Sequence, residues 1–291
     1  MKPASFDYVR AESVEHAVQT LARADGDGKV IAGGQSLMPM MNFRLVKPSV
    51  LVDINRIPGL DRIEQRGSRL ALGALVRHRM TAADRLIATQ IPVLHHAMKH
   101  VAHLTVRNRG TFCGSVCHAD PAAEMPMMTL LLNGAIQIAS PRGTRVVAAE
   151  DFFVSSLVTC LEPDEVVTKI EIDTFPAETG WGFEEFARRH GDYALAAVAV
   201  TMARRDGVVS APRIALMGVG EMPMRMSALE TMIEGRELTD DLISEAVVVL
   251  RDEIAPNSDL HGSADYRRHL AAALTRRALS AAWSRAGRRG A

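Results

Sequence analysis

Aromatic residues make up only 4% of the 291-residue sequence, and the two signs of charge cancel, with 34 Lys plus Arg against 34 Asp plus Glu. A chain so composed has little to stack on bases and no global field to draw it to nucleic acid or an anionic membrane. No window approaches ~18 uninterrupted apolar residues, the length a membrane-spanning helix needs. The opening MKPASFDYVRAES has no apolar core of the kind a secretory signal carries, so the expected location is the cytoplasm. The sequence holds three cysteines, an odd number in a chain of this size, which fits a reducing compartment rather than a disulfide framework. What is present is 47% apolar and 23% charged residues, the balance of a globular protein long enough for two domains. The basic tail SRAGRRGA reads as a solvated, fraying terminus.

Along the chain, Val14, Ala17, Val18 and Leu21 repeat at helical spacing with Ser13 placed to cap them. KVIA then reads as a short strand running into the glycine turn AGGQS, and SVLVDI and RLALGALV read as further strands. Thr81 with Asp84 has the look of a capping box, and Pro92 suits the first turn of a helix with Leu94, Ala97, Met98 and Val101 on one face. GAIQIAS, RVVAAEDF and EVVTKIEI predict a run of antiparallel strands. FPAETG breaks this pattern and predicts a boundary near Pro176, giving domains over 1–176 and 177–291. Beyond it, WGFEEFARR, YALAAVAVTMARR and RIALMGVG predict a smaller sheet, with helices over LTDDLISEAVVVLRDEI and ADYRRHLAAALTRRALSAAW packed on it. The fold class is therefore α+β.

The stretch LTVRNRGTFCGSVCHADPAAEMP concentrates two cysteines, a histidine and two carboxylates, and it admits three chemistries. A metal centre needs about four ligands, and Cys113, Cys117 and His118 supply at most three, so no metal is expected. In LHHAMKHVAH, His96, His100 and His103 fall on one side of a helix turning ~100° per residue; this is open to a surface metal, but equally the polar solvated face of an amphipathic helix, which is the preferred reading. A nucleophile, Cys113 or Cys117 with a remote histidine, makes a thiol hydrolase a distant alternative, because Ser115 lacks the flanking glycines of a G-x-S-x-G elbow. The third chemistry belongs to the backbone. AGGQS and TFCGS are both short glycine loops ending in a hydroxylated residue, and successive N–H groups in such turns cradle phosphate oxygens. Two of them suit a diphosphate, with Lys29, Arg107 and Arg109 adding positive charge or serving as ordinary loop charges. Neither matches a G-x-G-x-x-G fingerprint or a P-loop.

KVIAGGQSLMPMMNFRLVKPSVLVDINRI and TVRNRGTFCGSVCHADPAAEMP resemble the two signature loops of the FAD-binding medium subunit of molybdenum hydroxylases, the family of carbon monoxide dehydrogenase and of the middle domain of xanthine dehydrogenase. The resemblance continues through RRHGDYALAAVAV and DLHGSADYRRHLAAALTRRAL, nearly the whole chain. It implies a FAD domain of the p-cresol-methylhydroxylase type, built of two α+β subdomains, followed by a small α+β C-terminal domain with an antiparallel sheet and helices. It implies that Ala32, Gly33, Gly34, Gln35 and Ser36, with Thr111, Cys113, Gly114 and Ser115, wrap the flavin diphosphate, Lys29 lying beside the first loop. Glu124 takes the place of an acidic residue that helps hold FAD, and Leu161 and Tyr193 lie where the family approaches the isoalloxazine ring.

The activity so implied is electron transfer. Substrate is hydroxylated at a molybdenum-pterin centre on a large subunit, electrons cross two [2Fe-2S] clusters on a small subunit, and FAD on this chain delivers them to an acceptor in a dimer of heterotrimers. No residue here is then catalytic for the hydroxylation; the chain binds and tunes its cofactor. The four-cysteine insertion of one iron-sulfur-containing branch is absent, so FAD alone is expected. Relatives often carry two glycines in the second loop, where this chain has Cys113; a cysteine is strained there if the position needs a positive φ and tolerated if the backbone is β-like. A stand-alone flavin oxidoreductase of the same fold is the alternative function, and a scaffold that has lost its flavin is a further one.

Overall fold

Residues 2–287 are described by a computed structural model. The chain begins with β1 (Asp7–Arg10), α1 (Val14–Arg23), β2 (Gly28–Ile31), α2 (Leu37–Asn42) and β3 (Val50–Asp53). The three strands form a parallel sheet in the order β1-β3-β2. α1 starts where the Ser13 hydroxyl accepts from the His16 N–H at 3.1 Å, and it buries Ala17, Val18 and Leu21, the face its spacing predicts.

Next come β4 (Ile63–Arg66), β5 (Arg69–Gly73), α3 (His78–Ala83), α4 (Arg85–Gln90), α5 (Pro92–Ala97), α6 (Leu104–Arg107), α7 (Phe112–His118) and α8 (Glu124–Leu131). The proposed capping box over Thr81 is corrected: Thr81 lies inside α3, and Asp84 is itself the cap of α4, its carboxylate accepting from the Ile87 N–H at 3.0 Å. Pro92 opens α5 as expected. β6 (Ala135–Ser140), β7 (Gly143–Ala148), α9 (Ala149–Phe152), β8 (Phe153–Ser155), β9 (Val158–Thr159) and β10 (Val166–Asp173) follow. The antiparallel run is present as a five-stranded sheet, β4-β5-β10-β6-β7, with β10 in the middle although it is made last.

The remainder holds β11 (Gly180–Phe186), β12 (Ala196–Arg205), β13 (Val208–Met217), β14 (Met224–Arg225), α10 (Ser227–Ile233), α11 (Asp240–Glu253) and α12 (Ala264–Arg285). The strands make one antiparallel sheet in sequence order. Asp206 and Gly207, both at positive φ, close the β12–β13 hairpin, the two-residue turn that matches strand twist. Of the tail SRAGRRGA, residues 288–291 lie outside the described residues; Arg285 does not fray but stacks on the Trp181 ring, 3.9 Å from its centroid, and donates to the Trp181 carbonyl at 2.6 Å.

Both faces of this four-stranded sheet are covered. Val198, Val200 and Met202 join a core with α10, α11 and α12, while Ala197, Ala199, Ala215 and Met217 join the core of the preceding 170 or so residues, the alternation of a strand placing successive side chains on opposite faces. That double burial explains the near-continuous apolar run of β12, a pattern usual in strands walled on both sides. α8 lies against β13, and Arg213 forms an ion pair with Asp173 at 3.0 Å. Arg225 donates to the Leu130 carbonyl at 3.3 Å and to Asn133 Oδ1 at 3.0 Å, fastening the same seam.

Candidate functional site

The first glycine loop, residues 32–36, joins the end of β2 to the start of α2. Gly34 takes φ +70°, a conformation that a side chain disfavours. Among the described residues, the backbone N–H groups of Gly33, Gly34, Gln35 and Ser36 donate to no acceptor of the protein, and the Ser36 hydroxyl does not cap α2. Gln35 turns its amide back to the Gly33 carbonyl at 3.3 Å. Lys29 is exposed on β2, opposite Leu51.

The second loop ends in α7. Thr111 caps that helix, its hydroxyl accepting from the Gly114 N–H at 3.0 Å, and Gly114 has no Cβ where that hydroxyl sits. Gly114 is exposed and Ser115 half-buried, while Cys113 is only 2% exposed. Cys113 is helical and has no positive φ, so neither expectation for it holds: it is not strained, and it is not β-like. Its side chain points into the core, with Sγ at 3.6 and 3.7 Å from the carbonyl oxygens of Leu72 and Gly73. Burial holds its thiol well above the ordinary range and pushes Cys117 up to about 12, so neither supplies a thiolate near neutrality. The thiol nucleophile loses its physical basis.

The two loops abut. A Cβ on Gly33 would fall on the Arg109 carbonyl oxygen and 2.8 Å from the Gly110 Cα. A pair of side chains that the sequence reading missed spans the junction: Asn55 donates to the Ala32 carbonyl at 2.8 Å, and Arg77 donates both to Asn55 Oδ1 and to the Arg109 carbonyl. Arg107 is occupied elsewhere, donating to the Val101 and Ala102 carbonyls at 3.0 and 3.2 Å, which makes it a structural charge.

Beyond α7, Ala119 at φ +53° ends the helix, and the Asp120 carboxylate accepts from the Ala122 N–H at 2.9 Å to turn the chain into α8. Glu124 is the first residue of α8 and half-buried. Burial raises its pKa, with Asp120 adding to the effect and Arg107 opposing it. Its partner in charge is Glu185 on β11, whose carboxyl burial also raises, with Glu124 reinforcing the shift. Tyr193 is 63% exposed and has Asp120 and Glu124 as charged neighbours. The turn before it presses on the N-terminal end of α6, where a Cβ on Gly191 would lie 2.6 Å from His103 Cε1. Leu161 follows Cys160, whose N–H donates to the Phe152 carbonyl at 2.9 Å and whose own carbonyl accepts from Arg145 at 3.0 Å. The same hairpin reaches the end of α7, Leu157 N–H donating to the Ala119 carbonyl at 3.0 Å. Leu161, Glu124 and Tyr193 thus sit on segments that converge at the C-terminal end of α7, while the two glycine loops meet at the other end.

The histidine face is the clear misreading. Its solvated character holds only for His103, which is exposed and sits at the start of α6 rather than on α5; the His96 ring lies 5.2 Å from the Trp181 ring and the His100 ring 5.0 Å from Phe183, so β11 packs on these two and half-buries them. Among the described residues no group of three His, Cys, Asp or Glu is placed to hold a metal ion.

Residues 4–174 match the family model described as the FAD binding domain in molybdopterin dehydrogenase, and residues 181–282 match the CO dehydrogenase flavoprotein C-terminal domain. The chain belongs to the FAD-binding medium subunits of the carbon monoxide dehydrogenase and xanthine dehydrogenase family, subunits of molybdenum-dependent oxidoreductases. It is 39% identical to the 6-hydroxypseudooxynicotine dehydrogenase complex subunit alpha of Paenarthrobacter nicotinovorans, over 98% of this chain and 97% of that one. It is 40% identical to the nicotine 6-hydroxylase medium subunit of the same organism, over 98% of this chain and all of the other. A solved carbon monoxide dehydrogenase from Hydrogenophaga pseudoflava, lacking the Mo-pyranopterin moiety of its cofactor, superposes with a TM-score of 0.96 at 37% identity, covering 99% of this chain and 100% of that one.

Proposed function

We propose that this chain is the electron-transfer flavoprotein of a heterotrimeric molybdenum hydroxylase. Electrons released at a molybdenum-pterin centre on a large subunit cross two [2Fe-2S] clusters on a small subunit and reach an external acceptor by way of the FAD held here. Bound FAD supplies reversible redox chemistry at its ring; this chain's residues bind it, orient it and shield it. The observation that carries the reading is the meeting of two glycine loops, one with four consecutive unclaimed N–H groups at residues 33–36. Such N–H groups need an acceptor or water, and a diphosphate is the anion that two adjoining loops fit.

In this reading Ala32, Gly33, Gly34, Gln35 and Ser36 face the diphosphate from one side and Thr111, Cys113, Gly114 and Ser115 from the other, Cys113 through its backbone alone. Lys29 adds charge beside the first loop, Glu124 holds the cofactor through a hydrogen bond, and Leu161 and Tyr193 border the ring. The FAD domain covers 1–176, of the p-cresol-methylhydroxylase type with two α+β subdomains, and the C-terminal domain covers 177–291; the interval between the end of β10 and the start of β11 supports that division. The assembly is a cytoplasmic dimer of heterotrimers, a placement consistent with the lack, among the described residues, of any helix long and apolar enough to cross a membrane.

Purification of the chain expressed with its two partner subunits tests this. The expected product is a three-chain complex with FAD in one-to-one ratio to this subunit and iron-sulfur absorbance that substrate bleaches. A yellow chain that purifies alone and oxidises substrate alone would favour the stand-alone oxidoreductase, and a colourless chain that takes up no added FAD would sink both.

A further inference from the structure

Two carbonyl oxygens lie where the glycine loops meet, those of Ala32 and Arg109, and each is already a hydrogen-bond acceptor. Asn55 Nδ2 donates to Ala32 at 2.8 Å, and Arg77 Nη1 donates to Arg109. The two donors are themselves joined, Arg77 Nη2 donating to Asn55 Oδ1. Asn55 is fixed from below, its backbone N–H and its side-chain amide both donating to Asp53 Oδ1, at 2.8 and 2.6 Å, at the end of β3. The other Asp53 oxygen accepts from the Tyr8 hydroxyl on β1. A continuous polar chain thus runs from the parallel sheet through Asn55 and Arg77 to the loop that precedes α7.

Its position has a physical meaning for an anion. Carbonyl oxygens repel phosphate, and N–H groups attract it, so a site made from two loops works only if the carbonyls are held in other bonds and the loop spacing is constant. Gly33, with no Cβ to keep the loops apart, makes close approach sterically open; it does not by itself fix the distance. Arg77 fixes it, because a planar guanidinium donates in two set directions where an ammonium would not.

We propose that Asn55 and Arg77 are positioning residues for the FAD diphosphate, a brace that locks the spacing of the two loops and keeps the Ala32 and Arg109 carbonyl oxygens engaged. The proposal rests on the reading of these loops as the diphosphate site. Neither side chain needs to touch the cofactor for the brace to act, since each works through a backbone carbonyl.

The test uses the full chain, its flavin removed, with the variants Asn55→Ala and Arg77→Lys; Asn55 is exposed, so its truncation leaves folding intact even if Arg77→Lys does not fold. Titration with FAD and separately with ADP, which carries the diphosphate without the ring, is expected to show both affinities lowered about tenfold by either variant, the magnitude of one lost charge-assisted hydrogen bond. The redox potential of FAD bound at saturation stays as in the wild type in each variant that folds, and the unfolding midpoint of flavin-free Asn55→Ala stays as in the wild type. Unchanged FAD and ADP affinities in Asn55→Ala overturn the brace. So does a lowered FAD affinity with ADP affinity intact, which would place the effect at the ring. A wild-type chain that binds neither ligand overturns the loop reading itself, and the brace with it.

Discussion

Glu185 Oε1 lies 3.8 Å from His100 Nδ1, while the second oxygen of the same carboxyl has no hydrogen-bond partner. The Glu185 side chain is 4% exposed, on a strand of the C-terminal sheet that packs against the histidine face of the FAD-binding domain. A carboxylate so placed, with Glu124 as a like-charged neighbour, is easier to keep neutral than ionised.

The consequence is a stability that falls as pH rises. Burial lifts Glu185 from 4.5 to about 8, so the contribution of its neutral form is complete below 4.5 and is lost as pH climbs through about 8. His100 has its own pKa lowered by burial and is a neutral neighbour over most of that range, so it offers no compensating charge. Urea midpoints measured from pH 5 to 8.5 should decline for the wild type, and Glu185→Gln should flatten the decline. An identical slope in the variant would refute the account.

Two histidines act in the opposite sense. His78 is buried beside Gly110 with Nδ1 unpartnered, and burial first, then Arg107, lowers it from 6.5 to about 4. His96, between His100 and Trp181, is lowered to about 4 by burial and by its cationic neighbours. Folded values below the unfolded one give a contribution fully present above 6.5 and lost as pH falls through about 4. Proton NMR of the imidazole ring should find His78 still neutral at pH 5.5; a midpoint near 6.5 would contradict this environment.

Gly33→Ala places a methyl against the Arg109 carbonyl and the Gly110 Cα. Overpacking backbone against backbone costs about 1–3 kcal/mol. The variant should fold with a lower unfolding midpoint and purify with much less flavin absorbance than the wild type. Full flavin content would mean that the loops do not need to abut.

Cys113→Gly, the glycine that the family resemblance leads one to expect in the second loop, is expected to gain nothing. The position is helical with no positive φ, so glycine relieves no strain; it removes a buried side chain and loosens the first turn of α7, at about 1–2 kcal/mol. FAD content should be unchanged, because the side chain faces the Leu72 and Gly73 carbonyls. Cys117→Ser should likewise keep its flavin, and activity of the proposed three-chain complex should survive both changes.

Much of this architecture is legible in residue order. Ser13, Pro92 and the strand runs announce themselves because caps, imino rings and alternation act within a few residues. The histidine face shows where that locality ends. Periodicity told His96 and His100 from Leu94 and Ala97, but whether a polar face meets water or another element depends on β11, some 80 residues away. Thr81 and Asp84 both satisfy a cap pattern, and only the break between α3 and α4 decides between them. Asn55 and Arg77 had no sequence signal, since their bond joins the ends of elements from two different sheets.

The middle position of β10 in its five-stranded sheet has a consequence for how the protein is made. β5 and β6, the strands it joins, leave the ribosome about 30 to 100 residues ahead of it, and until β10 arrives they have no ladder between them. Both therefore wait as unsatisfied edges, the state in which nascent chains are most prone to mispair. The second glycine loop, which ends in α7, is encoded upstream of that strand but gains its packing on β10 only when synthesis has passed Asp173, whereas the first rests on the parallel sheet of β1, β2 and β3, whose strands are all made by Asp53; a site built from both loops is therefore finished late.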